Sequence, residues 1–312
     1  MRETARRIAL PLGVGCVAAA IVWASFRTPG VASDFDHLWI AARALTRGDD
    51  PYRAVLEAGN RYPLFYPLPA VLLVLPLAGL PVGLARVIWS GIGAAVLAEA
   101  ARRYGRGLPP ALLSAGFAAA IVQGQWSPLL TASVVLPVLA VAWVAKPSIG
   151  LAVAAAAPSW RVVGWALGLL VVSLALRPTW PRGWIDAVQS QIYVAPILRP
   201  GGIMLLLALL RWRRPEGRLL AVLACVPHSP TAYETLPLFL IPRTRWEGYG
   251  LAALGYAAAF LGAWLTPWSH AIETLPQDLS RQWPFMLLLV YLPALVLVLR
   301  LPNTPGSVGA TS

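Results

Sequence analysis

Five of the thirteen acidic residues, Asp34, Asp36, Asp49, Asp50 and Glu57, lie in one polar stretch from Ser33 to Tyr66. The stretch follows directly on the first long apolar run, where a carboxylate is costly unless it faces water or has a task. A carboxylate so placed can take a proton from a reacting hydroxyl. The spelling Asp34-Phe35-Asp36 also matches the Asp-x-Asp signature that grips a divalent metal beside a nucleotide sugar. Further along stands Lys146, the only lysine among 25 basic residues, between two apolar runs and beside Pro147. A compact ammonium there suits an anionic oxygen, and an anchor at the inner membrane surface is the alternative.

The elements that must position these groups are membrane helices. Over 312 residues the chain is 58% hydrophobic and 12% charged, with a mean hydropathy of +0.66. Apolar segments recur from end to end, so this is no soluble globule around one core. The net charge of +12 comes from arginines in short runs between apolar segments, as positive-inside anchors are, and this sets nucleic acid aside as a partner. Cys16 and Cys225 stand in separate apolar segments without Cys-x-x-Cys spacing and read as small apolar residues.

The expected architecture is an all-α polytopic integral membrane protein with roughly 9–11 transmembrane helices. One integral membrane domain is expected over 1–300 and a disordered cytoplasmic tail over 301–312, rich in Gly, Pro, Ser and Thr. Arg2, Arg6 and Arg7 before the run Ile8 to Phe26 place the N-terminus in the cytoplasm, a cleaved signal being the alternative. Asp34 is then on the outer side, in a first outer loop spanning 27–82. Within that loop the run Leu68 to Leu80, interrupted by Pro69 and Pro76, is expected as a re-entrant or interfacial helix. Ser127 to Ala145, broken by Pro137, reads either as a bent span or as two half-helices on one face. External loops then collect acids, histidines and aromatics, internal loops are short and basic, and function is expected at the outer face.

Asp34-Phe35, Trp39, Ala41-Ala42-Arg43-Ala44-Leu45, Gly48-Asp49-Asp50-Pro51-Tyr52 and Tyr66-Pro67-Leu68 together resemble the first outer loop of glycosyltransferase family 87. Gly124-Gln125, Lys146-Pro147 and the His228-Ser229-Pro230 turn near Tyr233 agree with it. The resemblance implies a GT-C-like fold in the cell membrane and transfer of mannose from a polyprenyl-phosphate donor. It implies a glycolipid, polysaccharide or protein acceptor, surrounding membrane lipids as partners, and no cofactor beyond the lipid-linked donor.

The implied chemistry fits the residues. Inverting transfer from a lipid phosphate needs a carboxylate that takes the acceptor proton on the face opposite the leaving group. Asp34 is the expected base, as the resemblance also implies; Asp36 is the alternative base, and capping the next helix is the other role open to Asp34. Lys146, Gln125, His228 and Arg43 are the candidates for the donor phosphate and sugar. For Gln125 a simple turn, and for Arg43 a snorkelling anchor, are the competing roles. The Asp-x-Asp metal reading fails on location, because nucleotide sugars are cytoplasmic and Asp34 is expected outside. His37 and His270 have no partner at metal-ligand spacing, so no metal site is expected. Asp49-Asp50-Pro51-Tyr52 reads as a turn. A secondary transporter or flippase of a lipid-linked or small polar substrate is the rival function, and a non-catalytic scaffold the third.

Overall fold

Proline punctuation decides this architecture, because a ring without an N–H opens a helix well and continues one badly. The computed structural model describes residues 2–26, 33–59, 62–189, 193–265 and 275–302, and for 2–7 and 275–280 the backbone alone. Every regular element among them is helical. The α-helices are α1 (Arg2–Ser25), α2 (Asp34–Thr46), α3 (Pro51–Glu57), α4 (Leu68–Val74), α5 (Val82–Tyr104), α6 (Ala115–Val122) and α7 (Ser127–Ala132). They continue as α8 (Pro147–Ala156), α9 (Trp160–Leu176), α10 (Trp180–Gln189), α11 (Pro215–Cys225), α12 (Arg245–Leu265), α13 (Leu275–Met286) and α14 (Leu292–Leu299). Tighter 3₁₀ segments fill much of the remainder, the longest being Pro137–Val144, Gly202–Arg211 and Ala232–Leu240.

Among the described residues four helices are long and apolar enough to cross a membrane: Ile8–Ser25 in α1, Val82–Tyr104, Arg245–Leu265 and Arg281–Leu299. A fifth arises if α9 and α10, bent by 103° at their junction, form one span. This corrects the sequence-based expectation of roughly 9–11 spans, since a span needs about 20 apolar residues in one helix. Pro128, Pro137, Pro147, Pro196 and Pro215 each stand in the first turn of a short segment, and Pro237 lies inside another. The apolar runs they divide fold as pieces of 3 to 11 residues. Leu68 to Leu80 is likewise short, α4 followed by the 3₁₀ turn Leu75–Leu77. The expected disordered tail lies almost wholly outside the described residues, as do His270 and parts of the first outer loop.

α1 packs along α5 through small residues. A Cβ on Gly15 would sit 2.9 Å from the Gly91 carbonyl oxygen, so the two backbones meet as closely as small-residue membrane interfaces allow. Outward faces carry large apolar side chains, including Trp165, Leu167 and Val171 on α9 and Phe260 and Trp264 on α12. So much exposed apolar surface suits lipid and not water.

The polar stretch is built into this frame by its caps. Ser33 Oγ accepts from the Phe35 N–H, and the Asp36 carboxylate accepts from the Ser33 N–H, closing a capping box on α2. Capping therefore falls to Ser33 and Asp36, and Asp34 is left available. Asp50 caps α3, accepting from the N–H groups of Tyr52 and Arg53, with Pro51 at the first helical position. The spelling suggests a turn here; the turn lies just before, at Arg47-Gly48, and Asp50-Pro51-Tyr52 instead opens a helix.

Candidate functional site

A cavity of about 410 Å³ lies between the start of α2, the Tyr62–Pro67 segment, the Gln125 turn, the start of α8, α10, and the loop leading into Ala232–Leu240. Its polar lining includes Asp34, His37, Tyr66, Gln125, Lys146, His228 and Glu234, and its aromatic and apolar lining includes Phe65, Trp184, Val188, Tyr193 and Leu151.

The Gln125 turn is held by α5. Trp89 Nε1 donates to the Gly124 carbonyl at 2.9 Å and Ser90 Oγ to the Ile121 carbonyl at 2.8 Å. Trp89 also meets the Trp126 ring edge-on, with centroids 4.6 Å apart. Gly124 has φ of +62°, and a Cβ there would lie 2.6 Å from the Phe35 Cβ, so both the turn and its closeness to α2 demand glycine. On the other side Tyr52 OH donates to the Tyr66 carbonyl at 3.2 Å, and Trp184 Nε1 to the Phe65 carbonyl at 2.9 Å.

Gln125 links the chemistry. Its Nε2 donates to Asp34 Oδ2. Its Oε1 accepts from Lys146 Nζ at 2.8 Å and from Tyr66 OH at 3.2 Å. An amide with a donor on one end and an acceptor on the other has a single orientation that serves both a carboxylate and an ammonium. Lys146 Nζ also pairs with Glu234 Oε1 at 2.8 Å and sits 5.0 Å from the centroid of the Tyr233 ring. A chain Asp34–Gln125–Lys146–Glu234 thus crosses the cavity.

Asp34 is partly exposed to the cavity, but its surroundings remove most of its water. Desolvation pushes its carboxyl up to about 6, with Glu234 and Asp36 adding repulsion while Lys146 and the Gln125 hydrogen bond oppose the rise. It is ionised at neutral pH, close to the range in which a carboxylate is an effective base. His228 is lowered from its ordinary value by burial. Its Nδ1 lies 2.9 Å from the Val226 carbonyl, which can only accept, so Nδ1 carries the proton. Its Nε2 then accepts from Tyr291 OH at 2.8 Å. Tyr291 closes a single π-helical turn, Leu287–Tyr291, between α13 and α14.

Of the sequence candidates, Asp34, Gln125, Lys146 and His228 come together in this cavity and two do not. Asp36 is bound to α5: Arg86 Nε donates to Oδ1 at 2.5 Å and Nη2 to Oδ2, with the two side chains 13% and 11% exposed. Both oxygens are engaged by Arg86 and Asp36 is not in the cavity lining, so it does not stand where an acceptor hydroxyl would be met. Arg43 is exposed and stacks over Trp39, 4.8 Å from the ring centroid, away from the cavity lining. It lies on the outer face of α2, so it stands where an anchor would and not where a phosphate ligand would. Lys146, in contrast, is only 12% exposed and is no surface anchor.

Glu234 was missed from sequence because it sits in an apolar run, whereas the carboxylates singled out sit in a polar one. The signal was present, since an ionisable residue embedded in apolar sequence is itself a pointer to function. Among the described residues no three His, Cys, Asp or Glu side chains gather around a position for one ion. No protein-family model, curated protein or solved structure matches the chain.

Proposed function

We propose that the protein is a membrane glycosyltransferase that moves a hexose, mannose by the family resemblance, from a polyprenyl phosphate to an acceptor hydroxyl at the outer face. Asp34 is the base, Lys146 holds the donor phosphate, and Gln125 keeps the two in register. The observation that carries the reading is the single Gln125 amide joined to Asp34 and Lys146 inside a cavity that also has a large aromatic and apolar wall. With Gln125 on Oδ2, Asp34 Oδ1 remains to take the proton of the acceptor hydroxyl. The hydroxyl oxygen bonds to the anomeric carbon, and the bond from that carbon to the phosphate oxygen breaks with its electron pair on the phosphate. The anomeric centre inverts, and polyprenyl phosphate leaves beside the Lys146 ammonium. His228, neutral and fixed by Val226 and Tyr291, borders the same space and shapes it for the sugar.

The test is transfer of labelled mannose from polyprenyl-phosphate-mannose in membranes holding the wild type, Asp34→Asn or Asp36→Asn, compared at equal amounts of folded protein. Loss of transfer, by about 10³-fold or more, is expected for Asp34→Asn alone. Equal transfer by Asp34→Asn and the wild type removes Asp34 as the base. Uptake of the lipid-linked sugar without a covalent product turns the reading to a flippase.

A further inference from the structure

Glu234 is 3% exposed in the cavity wall, and its two oxygens are treated differently. Oε1 meets Lys146 Nζ at 2.8 Å, while Oε2 is buried with no hydrogen-bond partner among the described residues. The neighbouring Thr235 hydroxyl donates back to the Ala232 carbonyl at 2.7 Å and is not turned to Glu234. The Thr231 hydroxyl, also in the cavity lining, is buried without a hydrogen-bond partner among the described residues and does not reach Oε2, while other polar groups nearby are engaged. Gln125 Nε2 serves Asp34, Tyr66 OH serves Gln125, Tyr291 OH donates to His228 Nε2, and His228 Nδ1 donates to the Val226 carbonyl. A buried carboxylate oxygen left without a donor is unfavourable, because it has given up water and gained no partner. The ligand of this cavity is the natural source of that donor.

The chemistry of the ligand narrows the choice. On the glycosyltransferase reading, on which this step rests, the donor's phosphate is acceptor-only and its hydrocarbon tail offers no polar hydrogen. Within the donor only the sugar brings hydroxyl groups, and on this reading the acceptor hydroxyl is met by Asp34 on the other side of Gln125. We infer that Glu234 recognises the transferred sugar: Oε2 accepts a hydrogen bond from one ring hydroxyl while Oε1 remains on Lys146. Lys146 and Glu234 then act as adjacent halves of one subsite, the ammonium toward phosphate and the carboxylate toward the sugar it carries.

The experiment uses the full chain in detergent and calorimetric titration with two kinds of lipid. One is unsubstituted polyprenyl phosphate. The other is whichever of the polyprenyl phosphates carrying mannose, glucose or arabinose binds the wild type most tightly, together with its series of singly deoxygenated analogues. Glu234→Gln is expected to weaken the sugar-bearing lipid by about tenfold or more, the range of one hydrogen bond to a charged group. It should leave bare polyprenyl phosphate as tight as before or tighter, because an anion beside the phosphate has been removed. One deoxygenated analogue should bind the wild type about tenfold worse yet bind the variant no worse than its parent does. Glu234→Asp, which keeps the charge and withdraws it by one methylene, should give the same sugar-selective loss, and thermal unfolding confirms that both variants are folded. Equal weakening of both lipids, or no analogue that closes the cycle, overturns the inference and leaves the glycosyltransferase reading standing. A wild type that binds neither lipid overturns both.

Discussion

Asp34→Asn should make the protein more stable while removing its activity. The folded carboxyl sits at about 6 against an ordinary value of 3.8, so the native chain holds that proton more tightly than the unfolded chain. The stabilisation from the proton is complete below about pH 3.8 and is lost as the pH rises through about 6. At pH 7.5 the ionised carboxylate is therefore a liability, and a gap of about 2 units corresponds to about 3 kcal/mol. Because Asp34 is partly open to the cavity, screening reduces this to about 1–2 kcal/mol. Asparagine keeps an oxygen for Gln125 Nε2 and carries no charge, so it recovers that amount. Asp36→Asn acts in the opposite sense, since it leaves the buried Arg86 guanidinium without its anion and costs about 3 kcal/mol.

Thermal unfolding in detergent at a fixed scan rate distinguishes the two. At pH 7.5 the Asp34→Asn midpoint should rise by roughly 2–6 °C and the Asp36→Asn midpoint fall by roughly 6–12 °C. At pH 5 the gain at position 34 should shrink toward zero, because the wild type is by then largely protonated there. A loss of stability at position 34 equal to that at 36, or a gain that ignores pH, refutes the desolvated carboxylate and with it the assignment of separate roles.

The same carboxyl sets the acid limb of the reaction: kcat/KM for transfer should fall about tenfold per pH unit below about pH 6, measured on the wild type across pH 4.5 to 8. Gly124→Ala should cost about 2 kcal/mol or more in stability, because alanine is strained at φ of +62° and its Cβ meets Phe35. It should also lower transfer more than stability explains, since Gln125 moves with the turn; unchanged kcat in well-folded Gly124→Ala protein argues against Gln125 as the register element.

The helical class was legible from composition, whereas local spelling reads the Asp50 cap as a turn and leaves capping of α2 open to Asp34, although both caps depend on residues near one another in sequence. The number of spans was not legible either. Counting apolar runs treats each as a helix of its own, whereas Pro128, Pro137 and Pro147 turn Ser127 to Ala156 into three short pieces that pack on other helices. The separation of Asp34 from Asp36 was half visible, since neighbours two apart on a helix point different ways. That Arg86 awaited Asp36 fifty residues on was not visible. Nor could spacing alone bring Lys146 to Gln125, 21 residues away, because that contact depends on Trp89 pinning the Gly124 carbonyl.

The position of Glu234 changes the physical character of the proposed site. A pocket for phosphate alone would be expected to gather cations, yet the charged side chains lining this one are two carboxylates and one ammonium. The two histidines in the lining, His37 and His228, are held toward neutrality by burial and supply no compensating charge. On the proposed reading an anionic donor must therefore be held chiefly by its apolar tail and its hydroxyls, with Lys146 offsetting only part of the repulsion. That arrangement favours the reaction over tight product retention. Once the sugar has moved, the acceptor proton on Asp34 removes one repelling carboxylate and the added phosphate charge pulls on Lys146 as well as pushing against Glu234, so it is loss of the hydroxyl that Glu234 holds that favours release of polyprenyl phosphate.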